Sequence, residues 1–218
     1  METTMPVPAS RMWRMLFIAG GLLYLAGGFQ HPRGSMLDML RDPVWFRSHF
    51  IILIGLVLIT MALVIIRRND TSRSLDRWIL LAAIATFLEA IEMAVHSIAM
   101  IDADALAAGH STPTLTTHLM MATTIYPIFG IVMLVFIFKA QREGVLGSPW
   151  IGWIGMIGAL AHGLVMGLMW LEVPWARVLF PIAAISLSLW YMLAGIWPAR
   201  ERVSSTSVGE AEMPPAIA

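Results

Sequence analysis

Apolar residues fall in six long runs, at roughly 12–30, 48–66, 78–100, 115–138, 150–171 and 176–197, and the stretches between them carry most of the charge. A hydrocarbon core of about 30 Å needs about 20 apolar helical residues, so the pattern predicts six transmembrane helices. Pro32 ends the first run because it donates no backbone hydrogen bond. Residues 36–46 then read as a short amphipathic segment lying on the membrane surface. Tyr126 and Pro127 predict a kink in the fourth helix. The fifth carries Gly155, Ala159, Gly163 and Gly167 at four-residue spacing, a small-residue ridge that lets a neighbouring backbone come close. That face also offers itself to a membrane partner or a second copy of the chain.

Polar residues interrupt one run in a way that the others avoid. Glu89, Glu92 and His96 lie within a wedge of about 60° on one helical face, stacked along about 10 Å. An ionisable group in mid-membrane costs on the order of 2.5–3.5 kcal/mol even on the mildest scale, so three on one stripe require partners. The histidines are where to look.

Composition fits this reading. Of 218 residues 58% are hydrophobic and 13% charged, about half the charge of an ordinary soluble domain. The expected fold class is therefore an all-α integral membrane protein of the cell membrane, a single six-helix domain over 1–200, with lipid as its surroundings. Residues 201–218 are rich in Ser, Glu, Pro and Ala and are expected to be a disordered cytoplasmic tail. Net formal charge is zero, and no basic stripe interleaves with aromatics, so a nucleic-acid partner has no electrostatic footprint. With no cysteine, thiolate ligands, iron–sulfur clusters and covalently attached haem are excluded.

Lys and Arg sort the connections by side. Ten of the fourteen, Arg11, Arg14, Arg67, Arg68, Arg73, Arg77, Lys139, Arg142, Arg200 and Arg202, fall on one side, and Arg33, Arg41, Arg47 and Arg177 on the other. The positive-inside rule then places both termini in the cytoplasm. Arg11 and Arg14 before an apolar stretch ending in Ala26, Gly27 and Gly28 also fit a secretory signal. Against that, the run continues through Phe29 and Gln30 without an A-x-A site.

With this topology His31, His49, His96, His110 and His118 lie at or near the outer boundary, and His162 lies in the outer half of the fifth helix. The first two helices meet at His31 and His49, the next two at His96 and His118. His31 and His49, taken singly, also fit boundary residues bonded to headgroups or water, and His110 fits a loop residue. The connection at 102–113 has no Lys or Arg and reads as a candidate lid.

Imidazole and carboxylate without thiolate suit Zn, Fe or Mn, and His31, His49, Glu92, His96, His118 and His162 are the candidate metal ligands. Glu92 is also a candidate base. Glu89, one turn deeper, is a candidate proton relay or an acceptor that fixes an imidazole tautomer. Met93, Met100, Met120, Met121 and Met166 would add soft donors for copper, though methionine is also ordinary core filler. Glu92 and His96 are four apart, so the Glu-x-x-His spacing of carboxylate-bridged di-iron bundles is absent. A b-type haem is the competing cofactor, with His49, His96, His118 and His162 as candidate ligands and the paired glycines of the first helix admitting the macrocycle. A redox or electron-transfer role follows from haem, iron or copper, and hydrolysis or simple binding from zinc. Two alternatives need no cofactor: a proton-coupled carrier of small solutes, and a non-catalytic accessory subunit.

Overall fold

A computed structural model describes residues 9–68 and 73–197. The tail expected over 201–218 and residues 69–72 of the basic connection lie outside the described residues. Among the described residues eight α-helices follow in order: α1 (Ala9–Gln30), α2 (Met36–Arg41), α3 (Val44–Arg68), α4 (Arg73–Ile98), α5 (Ala103–Ala107), α6 (Pro113–Arg142), α7 (Pro149–Trp170) and α8 (Leu179–Ile196). Two 3-10 turns, Ala99–Asp102 and Ala176–Val178, complete the regular structure, and no strand occurs among the described residues. Six helices are long and apolar enough to cross a membrane, as the hydropathy pattern predicts.

The long helices form a closed ring. α1 packs on α3, α3 on α4, α4 on α6, α6 on α7, α7 on α8, and α8 returns to α1. Glycine sets the closest crossings. A Cβ on Gly20 would lie 2.8 Å from the carbonyl oxygen of Gly55 on α3, and one on Gly27 would lie 2.5 Å from that of Ser48. A Cβ on Gly130 of α6 would meet the Cα of Gly163 on α7 at 2.5 Å. At the seam that shuts the ring, a Cβ on Gly21 would approach the Ser188 carbonyl to 2.9 Å, and one on Gly195 the Arg14 carbonyl to 2.8 Å. Only a residue without a side chain permits such approaches, which replace the longer-range packing of branched residues.

These contacts revise two expectations. The small-residue face of the fifth long helix is turned inward: Gly155 faces Trp190 of α8, Gly163 faces Gly130, and Ala159 is fully buried. Gly167 alone of the four has open space beside it, so Gly155, Ala159 and Gly163 serve contacts within the chain. The glycines of the first helix are likewise filled by α3 and α8 instead of flanking a slot.

One end of the ring is capped. Ser35 and Asp38 form a reciprocal N-terminal cap on α2, and α2 packs with the turn at 99–102 and with α5. Leu40 and Trp45, each 1% exposed, join Ala99, Ala103 and Leu115 in an apolar cluster. The segment expected to lie on the membrane surface is thus folded against the protein. Buried Asp102 accepts a hydrogen bond from the Leu115 backbone at 2.8 Å, holding the start of α6. At the opposite end Gly144 adopts φ +68° and Val145 bonds back to the Ala140 carbonyl, a Schellman-type stop to α6.

Candidate metal centre

Beneath the cap, four imidazoles from four segments stand in a row. His31 follows the last residue of α1, His49 lies one turn into α3, His96 near the end of α4 and His118 near the start of α6. Ring centroids step from His31 to His49 at 4.8 Å, to His96 at 4.1 Å and to His118 at 3.7 Å. The glycine crossing of α1 on α3 sets the first step, and the antiparallel pairing of α4 with α6 sets the last. Trp45 walls the row, with its ring 5.8, 4.4 and 5.0 Å from those of His31, His49 and His96. Its indole N–H donates to the His96 carbonyl at 3.0 Å.

Hydrogen bonds orient three of the rings. Nδ1 of His31 lies 2.7 Å from the Pro32 carbonyl and Nδ1 of His49 lies 2.6 Å from the Trp45 carbonyl. A carbonyl only accepts, so both nitrogens carry the proton and Nε2 keeps the lone pair. His118 Nδ1 is 2.5 Å from Glu92 Oε1. Burial pushes the His31 imidazole below its usual pKa, a shift opposed by its bond to the Pro32 carbonyl.

Several polar atoms are left over. His49 Nε2, His96 Nδ1 and Glu92 Oε2 are buried without hydrogen-bond partners, and His96 Nδ1 stands 4.0 Å from Glu92 Oε1, beyond bonding distance. Buried unpartnered donors and acceptors are rare enough that each asks for an explanation, such as an ion or water. Two sets of residues bring their donor atoms within 4.8 Å of one another: His31, His49 and His96, and Glu92, His96 and His118. Buried His/Glu groups able to hold a metal ion are therefore present.

Glu89 and His162 form a second, deeper contact. Expected among the ligands, His162 belongs to neither set and instead places Nε2 at 2.9 Å from Glu89 Oε1. The carboxylate oxygen lies off the ring N–H direction, so the atoms are close without a well-formed hydrogen bond. His162 stacks near Tyr126 and Phe129, with centroids 4.4 and 4.8 Å away. All three tyrosines of the chain, Tyr24, Tyr126 and Tyr191, are buried, and Tyr126 packs on His162. Sequence reasoning passed over them, although a tyrosine in mid-span is itself a polar tip in search of a partner.

The remaining candidates lie apart. His110 is exposed. Met100 and Met120 are 38% and 68% exposed, while Met93 and Met166 pack in apolar clusters. Met121 is half-buried. The connection at 102–113, read from the sequence as a candidate lid, contains α5 and its flanking turn and is tied to α2 by Arg41 and Asp104 at 3.1 Å. Comparison of the chain with family models, curated proteins and solved structures finds no match.

Proposed function

We propose that this chain is a membrane metalloprotein whose centre is the histidine row with Glu92, opening toward the extracytoplasmic side. The observation that carries the reading is the treatment of Nδ1. Three of the four rings have that nitrogen held by an oxygen acceptor, the arrangement by which metal-binding histidines have their tautomer and orientation fixed. Two acceptors are main-chain carbonyls and the third is Glu92, which would raise the donor strength of His118 or bind the ion itself. Imidazole with one carboxylate suits zinc, iron or copper. Iron or copper would make the centre an oxidoreductase or electron-transfer site, and zinc a Lewis acid. The sidedness rests on the ten-to-four distribution of basic residues.

A bare ion fits this row better than haem. The rings are already in contact, at 3.7 and 4.1 Å, and the glycines that would border a macrocycle are occupied by neighbouring helices. The carrier reading needs access from both ends, whereas Phe17, Phe136, Leu63 and Trp190 fill the ring below the polar groups. The accessory reading leans on a small-residue face that is spent within the chain.

Elemental analysis and a visible spectrum of protein purified from membranes test the proposal. We expect a transition metal at a fixed ratio, lost in His96→Ala and His118→Ala, with no Soret band. Folded protein that takes up neither metal nor haem would end the reading.

A further inference from the structure

We infer that one ion uses the row at two positions, captured by His31, His49 and His96 and passed to rest at Glu92, His96 and His118. This rests on the metal reading above and adds a route and a direction to it. The five donors divide into two sets joined only through His96. Bonds from a first-row ion to imidazole nitrogen are about 2.0–2.1 Å, so an ion seated at one end of the row does not reach the other.

Charge gives the direction. The first set consists of imidazoles alone, while the second includes Glu92, a carboxylate with no exposed surface, and Glu89 lies one turn below it. A dication moving from neutral donors toward a buried carboxylate gains Coulomb energy that the low-dielectric surroundings amplify. A second dication would sit within a few ångströms of the first with Glu92 as the sole carboxylate among the donors, so single occupancy is favoured.

Exposure and orientation give the entrance. His31 is half-buried, while His49 has no exposed surface and His118 retains 5%. The carbonyls of Pro32 and Trp45 present Nε2 of His31 and His49 in advance, so capture requires little rearrangement. His96 stacks on His118 and touches His49, and its Nδ1 is unpartnered. It is the one ligand able to stay with the ion throughout.

Co²⁺ loading of the full-length protein in lipid nanodiscs tests the route, with stoichiometry by elemental analysis and coordination by visible absorption. The wild type should bind one Co²⁺ per chain. His31→Ala and His49→Ala should slow loading and release alike by roughly tenfold or more, the scale on which altered metal surroundings act. Because the ion leaves the entry position once it comes to rest, the loss of affinity in these two variants should be smaller than in Glu92→Gln or His118→Ala. Glu92→Gln and His118→Ala should abolish the final spectrum and weaken binding. Two Co²⁺ per chain, unchanged loading rates in the His31 and His49 variants, or an affinity loss in His31→Ala equal to that in His118→Ala would each overturn the route while leaving a metal site. A wild type that binds no Co²⁺ would overturn the metal reading itself. Should an alanine variant fail to fold, His31→Gln and His49→Gln carry the same measurement with polar volume retained.

Discussion

At the end of the ring holding Trp13, Phe17, Trp190 and Tyr191, six helices close on aromatic and branched side chains; at the other end lie His31, His49, His96 and His118 with Glu92, and the Glu89–His162 contact beside them. The first interior has every sign of having been chosen for packing. Phe17, Phe136 and Leu63 have no exposed surface, and Phe17 meets Trp190 and Tyr191 with ring centroids 5.9 and 5.4 Å apart. Both interiors leave some buried polar atoms without partners, Trp190 Nε1 and Tyr191 Oη in the first, but in the second these are carboxylate oxygens and imidazole nitrogens, ionisable groups that cost most to bury. A chain under selection for stability alone would fill both ends alike, and the polar end is where the His and Glu groups that could hold a metal ion are gathered.

The contrast yields measurable consequences. Glu92→Ala leaves His118 Nδ1 buried without its acceptor, and breaking a buried pair in this way costs about 3–5 kcal/mol. Replacing both partners, as in Glu92→Leu with His118→Leu, should restore or exceed wild-type thermal stability while abolishing metal uptake. A double variant much less stable than Glu92→Ala would mean that the polar end is structural after all.

In the apolar half, Trp190→Ala should cost about 3–5 kcal/mol through the cavity it opens, read as a lower melting temperature in detergent. The metal content of the protein that stays folded should be unchanged, since no donor touches that ring. The glycine crossing gives an intermediate effect. Gly130→Ala should cost about 1–3 kcal/mol by forcing α6 off α7, whereas Gly167→Ala, with nothing within 4 Å, should be near neutral. Equal melting temperatures for these two variants would contradict the inward turn of the ridge. Smallest of all, Arg41→Ala removes an ion pair to Asp104, whose side chain is 97% exposed, and should shift stability by about 0–1 kcal/mol.

Much of this division could be read in the residues, and some of it could not. Hydropathy locates the spans because the membrane imposes one length on all of them. The stripe of Glu89, Glu92 and His96 was visible because helical periodicity fixes which residues share a face. Periodicity does not say what that face meets, so the pairing of His162 with Glu89 instead of the metal donors was out of reach. Trp45 was misplaced for a related reason. An amphipathic segment folds equally well against lipid or against another short segment, and the apolar partners at 99–115 that decide the matter are over fifty residues away. The glycines of the first helix posed the same ambiguity, since a missing side chain admits a cofactor or a neighbouring backbone alike.

Closure of α8 on α1 has a consequence for biogenesis. Helices enter the bilayer in order of synthesis, N-terminal first, so the seam lined by Gly21 and Gly195 is the last to form. The four histidines arrive on α1 to α6 and can gather before the ring is shut. Glu89, by contrast, waits for His162 on α7. In a bilayer, until residues 179–196 were inserted, the flank of α1 that carries Gly21 would face acyl chains, and a polypeptide stalled or cut after α7 would present that open flank to quality-control proteases.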